Sequence, residues 1–373
     1  MVTRRDALFL GLASSLLTAC GGGGSDGPKA SPGIPKDEDV VRTAIPSDDW
    51  PTATPESQLI TTAAVNAMMA AAEKLPALRS MLVIRNGKLV AERYFNNALA
   101  SDLQHVRSVT KTVSSLLVGQ AIHDGKISSA SATLGELLPT DLAKVPNSVA
   151  GNISLRKVLQ MRSGMKFDES VSSDVMNNAH SLALMALGLP NLNRNVWNYD
   201  SAMSHLPSPI VARAYGETTA LALATRILFK PLGIQQVSWD SDPSGANYGS
   251  FGLKMRSRDM AKLGLMALDG GQWQGRSLMT REYLADSMSN HSELGNDGML
   301  TEIGYGYLWW TGMLVGHRVW TAWGHGGQYI LLVPAMNMVI VSTSNWRVVH
   351  GPAEVNARAA MSAIAVLMAT LTS

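Results

Sequence analysis

The chain has 373 residues, 46% of them hydrophobic, and a formal net charge of +2 at pH 7. That is enough apolar material for one large or two ordinary folded units, and it excludes global disorder. The absence of a basic block argues against a nucleic-acid-binding surface, and the single cysteine, Cys20, excludes an intrachain disulfide and a cysteine-based zinc site.

Residues 1–20 have the layout of an export signal. Arg4 and Arg5 supply charge, Ala7 to Ala19 a short apolar segment, and Leu17-Thr18-Ala19-Cys20 the end. The last four resemble the lipobox of bacterial lipoproteins, in which the cysteine is lipidated and becomes the new N-terminus. Thr3-Arg4-Arg5-Asp6 also resembles a twin-arginine signal. The alternative is a plain secretory signal with an incidental cysteine. The expected location is therefore outside the cytoplasm, on a membrane through lipidated Cys20, facing the periplasm or the cell exterior. Residues 21–49 are rich in Gly, Ser, Pro and Asp and lack periodicity, as a flexible linker would. Residues 50–373 form the folded body, in which no apolar run is long enough to span a bilayer.

An alanine-rich helical pattern runs from Pro55 to Leu75. Two strand-like runs, Ser80–Arg85 and Lys88–Tyr94, flank Asn86-Gly87, a strong hairpin signal. Next comes a helix from about Ser108 to His123, with Val109, Val113, Leu116, Leu117 and Ala121 at core-facing spacing. Residues from about 124 to 240 read as mostly helical. Short apolar runs around Tyr305–Trp310, Arg318–Ala322, Tyr329–Val333 and Met338–Ser342 read as strands, and a final helix covers about Ala353 to Leu371. This order predicts an α/β (α+β) fold: a mostly antiparallel sheet flanked by helices, with an all-helical domain inserted at about 124–240.

Ser108 and Lys111 stand three apart, so a helix puts both on one face. A serine hydroxyl is a weak nucleophile until a base takes its proton, and a lysine whose pKa burial has lowered can be that base. Free N–H groups of the first helical turn favour the negative charge that develops. The Ser-x-x-Lys pattern occurs three times. Ser154 reads as an N-cap for the helix Leu155–Met161, and Ser163 sits beside a turn at Gly164. Only Ser108 opens a long apolar helix. Two later stretches offer partners. Tyr199, in Asn198-Tyr199-Asp200-Ser201, stands among turn-prone polar residues before another apolar helix. His325 lies among Gly324, Gly326 and Gly327 at the entry to a strand, where glycines let backbone approach a ligand closely. Taken singly, each has an ordinary structural reading.

Taken together and in this order, Ser108-x-x-Lys111, Tyr199-x-Ser201 and His325-Gly326-Gly327 resemble the three motifs of the serine β-lactamase and penicillin-binding-protein superfamily. The nearest likeness is to its class C-like branch, which includes family VIII carboxylesterases and 6-aminohexanoate-dimer hydrolases. The resemblance spans about residues 60–370. It implies that Ser108 forms an acyl-enzyme, Lys111 takes its proton and Tyr199 joins the proton relay. The implied oxyanion hole is the backbone N–H of Ser108 and of Gln328, with Ser201, His325, Gly326 and Gly327 lining the substrate. The pattern departs from the β-lactamase form twice. Ser201 stands where Asn is usual, and His325-Gly326-Gly327 replaces Lys-Thr-Gly. Both departures fit the esterase and amidase branch. The expectation is an exported serine hydrolase for an ester or linear amide; β-lactamase, DD-peptidase and a catalytically silent envelope-binding protein remain the alternatives. Neither histidine clustering for a metal nor a phosphate-binding loop is present, so no cofactor, metal or nucleotide is expected.

Overall fold

Asn86 and Gly87 both take left-handed φ values, 52° and 72°, the geometry a tight hairpin turn demands. They join Leu78–Arg85 (β1) to Lys88–Tyr94 (β2). The computed structural model describes residues 50–171, 176, 178–192, 194–348 and 353–371. The signal-like segment, Cys20 and the linker to residue 49 lie outside the described residues.

The hairpin forms one end of an eight-stranded sheet. Its other strands, numbered within this sheet, are Glu293–Asp297 (β3), Leu300–Tyr305 (β4), Trp310–Leu314 (β5), His317–Gly324 (β6), Gln328–Val333 (β7) and Met338–Ser344 (β8). The order is β2-β1-β8-β7-β6-β5-β4-β3, and every neighbouring pair is antiparallel. The central strands are buried on both faces. Ile330, Leu332, Val339 and Val341 point to one core, while Tyr329, Leu331, Val333, Met338 and Ile340 point to the other. This explains why they read as continuous apolar runs rather than alternating ones.

The four described helices of twelve residues or more cover these faces: Thr62–Glu73 (α1), Val109–His123 (α2), Ser257–Leu268 (α3) and Ala353–Met368 (α4). α1 and α4 pack in the second core, α2 and α3 in the first. Gly264 lets α3 lie directly on the sheet, since a Cβ there would come within 2.7 Å of Ile330 and Val339. The fold is therefore a mixed α/β arrangement, an antiparallel sheet flanked by helices, as the residue pattern predicts.

Three local expectations need correction. The run Tyr305–Trp310 is the connection between β4 and β5, not one strand. Leu308 has φ 60°, and the N–H groups of Tyr307 and Leu308 bond to Ser287 and Leu159. Tyr305, Tyr307 and Trp309 are buried there, which mimics a strand's apolar pattern. The N-terminal helix begins at Thr62 because Leu59, with φ 55°, ends a preceding short turn of helix, Glu56–Gln58. Among the described residues from Leu134 to Phe229 every named element is a helix, but Val237–Trp239 is a strand. It pairs with Leu253–Met255, which also pairs with Gln104–His105. That small sheet anchors the chain just ahead of Ser108: Val106 N–H bonds to Leu253 O at 3.0 Å.

Candidate active site

Ser108 stands at the N-cap of α2, yet its hydroxyl makes no capping bond. The other two copies of the pattern use theirs locally. Ser154 Oγ accepts the Lys157 N–H at 3.4 Å, and Ser163 Oγ accepts the Met165 N–H at 3.2 Å. At Ser108 the lysine side chain turns back instead, and Lys111 Nζ donates to Ser108 Oγ at 3.1 Å.

Every residue of α2 from Val109 to Ala121 is buried, so Lys111 is held in the interior, 2% exposed. Its Nζ also donates to Ser201 Oγ and to the Ser250 carbonyl, both at 3.0 Å. These three acceptors match the three protons of an ammonium. Burial nevertheless disfavours the charge and lowers the pKa to about 8, against the pull of Glu169. Lys111 is thereby close to shedding a proton near neutral pH, as a base for the Ser108 hydroxyl must.

Tyr199 lies over this pair. Lys111 Nζ is 4.8 Å from its ring centroid, and the ring stacks on Trp310 at 6.0 Å. Burial raises the pKa of its hydroxyl and the Glu169 charge adds to the effect, while a bond with Ser108 opposes them. Tyr199 is therefore a neutral phenol that can pass a proton on. Asp200, next in sequence, is raised to about 7 by burial. Its Oδ1 accepts the N–H groups of Ala202 and Met203, at 2.8 and 2.9 Å.

Sequence reasoning missed two contributors. Glu169 accepts the Ser201 N–H at 2.8 Å with one oxygen and the Ser201 hydroxyl with the other. A chain Lys111–Ser201–Glu169 results, in which Ser201 couples a buried cation to a carboxylate. No spacing rule links Glu169 to Tyr199 or Lys111. The signal was chemical: a buried lysine calls for an anion, and Asp168-Glu169 follows the apolar Phe167. The Ser250 carbonyl could not be read from sequence, because backbone supplies it.

His325, Gly326 and Gly327 form the turn between β6 and β7, with His325 exposed at the tip. Gly326 and Gly327 have φ 80° and 97°, which glycine tolerates. The space beside them is filled by the protein itself. A Cβ on Gly326 would meet Trp346 at 3.1 Å, and one on Gly327 would meet Ser344 and Ala360. Gly324 lies against Val106, two residues ahead of Ser108, where a Cβ would fall 2.4 Å from Val106 O. This contact brings the β6–β7 turn beside Ser108. The Gln328 side chain is tied to Ser344, donating to its carbonyl at 2.8 Å and accepting its N–H at 2.9 Å. Any direct role for Gln328 toward a substrate thus falls to its backbone.

The Beta-lactamase family profile matches residues 66–365. The chain belongs to this family. It is 25% identical, over 72% of its own length and 72% of the relative's, to the 6-aminohexanoate-dimer hydrolase of Paenarthrobacter ureafaciens. Solved structures share the fold at lower identity. One from Bacillus anthracis, provisionally named a 6-aminohexanoate-dimer hydrolase, has a TM-score of 0.68 at 17% identity, covering 87% of this chain and 89% of its own. EstCE1, described as a hydrolase with promiscuous acyltransferase activity, has a TM-score of 0.64 at 14% identity, covering 82% and 99%. Among the described residues of this β-lactamase-family chain no cluster of metal-binding side chains occurs, and no helix is long and apolar enough to cross a membrane.

Proposed function

We propose that this chain is a serine hydrolase that cleaves an ester or a linear amide through an acyl-enzyme on Ser108. The observation that carries the reading is the 3.1 Å bond from a fully buried Lys111, its pKa lowered to about 8, to Ser108 Oγ. Neutral Lys111 takes the hydroxyl proton as Oγ attacks the carbonyl carbon. The backbone N–H groups of Ser108 and Gln328 receive the oxyanion. The proton then passes from Lys111, by way of the Tyr199 hydroxyl, to the departing alcohol or amine. Water attacks the acyl-enzyme, the same groups move its proton, and acid product leaves with Ser108 restored. The relative named for 6-aminohexanoate dimer supports a linear amide, and EstCE1, described as a hydrolase with acyltransferase activity, shows that this fold carries acyl transfer.

The test is to incubate the protein with a fluorophosphonate probe and with panels of p-nitrophenyl esters, linear amides and β-lactams. The expected result is a probe adduct on Ser108, located by mass spectrometry, and ester or amide turnover above β-lactam turnover. Faster hydrolysis of a penicillin or cephalosporin would replace this reading with β-lactamase, and no turnover or adduct would leave an envelope-binding protein. Export and anchoring through Cys20 belong to the same proposal. They rest on the sequence pattern of residues 1–20 alone.

A further inference from the structure

Arg107, the residue before Ser108, has φ 52°, a left-handed conformation that non-glycine residues rarely adopt. The turn is held by its neighbours: Arg107 N–H donates to His105 Nδ1 at 3.2 Å, and Arg107 O accepts the Thr110 hydroxyl at 2.7 Å. This conformation lays the guanidinium over the Trp346 ring, 4.2 Å from its centroid. Trp346 in turn packs on Gly326 of the β6–β7 turn. The cation therefore sits between the nucleophile's own segment and the turn that borders it.

The guanidinium is poorly satisfied there. Its buried Nε has no hydrogen-bond partner, and it forms no ion pair among the described residues. Glu169, whose charge reaches Arg107, is bound through both oxygens to Ser201. Arg347, 4.8 Å from the same Trp346 ring, adds like charge rather than relief. A guanidinium cannot shed its proton, and an aromatic face satisfies none of its five N–H donors in their plane. A planar anion completes such a site: the fork geometry matches a carboxylate, and charge-assisted bonds are the stronger kind.

We propose that Arg107, shelved on Trp346 beside Arg347, binds a carboxylate carried by the substrate. The inference refines the hydrolase reading by giving the ester or amide a negative charge near the scissile bond. The carboxylate is on either the acyl or the leaving-group side, and matched substrates separate the two.

The acyl-side pair is mono-p-nitrophenyl glutarate and its methyl ester. The leaving-group pair is N-butyryl-6-aminohexanoate and the corresponding primary amide. For each, the ratio of kcat/KM for the charged to the neutral member is measured in wild type, Arg107→Ala, Arg107→Met and Arg107→Lys. The ratio for one pair should fall by about one to two decades in Ala and Met, the worth of a charge-assisted bond, and be kept in part by Lys. The Met variant keeps an apolar stem on Trp346, so it guards against a loss caused by packing alone. Calorimetric titration with hexanoate and hexanamide gives a readout independent of turnover. Hexanoate alone should bind, and Arg107→Met should lose it. Absence of wild-type turnover on every substrate would sink the hydrolase reading while the titration still decides this one. Unchanged ratios in Arg107→Met, or hexanoate binding equal to that of hexanamide, would overturn the proposal.

Discussion

Ser201 gives both its N–H and its hydroxyl proton to Glu169, and its oxygen lone pair faces Lys111 at 3.0 Å. The second motif of this chain is thereby a link between charges. Glu169 raises the Lys111 pKa against the larger effect of burial. Replacing Glu169 by Gln should therefore move the acid limb of the kcat/KM profile to lower pH and reduce the plateau. A pH–rate series on one ester checks this. A carboxylate with a packing role only would lower the plateau without moving the limb.

On the proposed mechanism Lys111 itself sets that limb in the wild type. Its neutral form would be the base, so kcat/KM should rise with pH and level above about 8. Lys111→Arg should be inactive at every pH tested, since a guanidinium keeps its proton. The same depressed pKa has a thermodynamic sign. Between about 8 and 10.5 the unfolded chain binds the proton that the folded one has released, so this residue makes stability rise with pH across that window. Denaturant titrations at pH 7.5 and 10, compared between wild type and Lys111→Met, measure it. Identical pH slopes would mean that Lys111 is not titrating there.

Ser108→Ala should lower turnover by about three decades or more and abolish fluorophosphonate labelling. It should cost little thermal stability, because the hydroxyl caps nothing and Lys111 Nζ keeps Ser201 Oγ and the Ser250 carbonyl as acceptors. Ser154→Ala should do the reverse. It keeps activity and loses about 1 kcal/mol from a broken cap. Activity that survives at Ser108→Ala and disappears at Ser154→Ala would assign the chemistry to the wrong copy.

Gly324→Ala tests the contact that seats the β6–β7 turn. A Cβ 2.4 Å from Val106 O must displace backbone, at a cost of about 1–3 kcal/mol. Activity should fall more than this stability loss explains, because the turn and Ser108 move apart. Full kcat/KM in a destabilised Gly324→Ala protein would show that the contact serves the fold only.

Cys20→Ser should shift the mature protein from the membrane to the soluble fraction after cell fractionation, with activity unchanged. A wild type that is already soluble would favour a plain secretory signal.

Legibility in the sequence followed from locality. The Asn86-Gly87 hairpin and the α2 helix announce themselves locally, and β6, β7 and β8 are long and apolar enough for their runs to show, whereas the more polar β3 and its neighbours β4 and β5 do not read as strands. Ser108, Lys111 and Tyr199 could be singled out because they lie in short motifs. The segment Tyr305–Trp310 misled because a run of buried aromatic and apolar residues arises at a connection as well as in a strand. Glu169 and Arg107 escaped notice for another reason. Their importance lies in what they face across the fold, and neither spacing nor composition encodes that.

The pairing of β1 with β8 joins segments far apart in the chain: Ser80 and Thr343, 263 positions apart, share a hydroxyl bond between these strands. Closing so long a loop precedes any gain from the pairing, which makes assembly slow. Until β8 has been synthesised, the β1–β2 hairpin and the growing β3–β7 half both carry an open, apolar edge. A nascent chain that stalls before Met338 therefore holds two sticky sheet fragments rather than a smaller stable domain, and its hazard is association with other such chains.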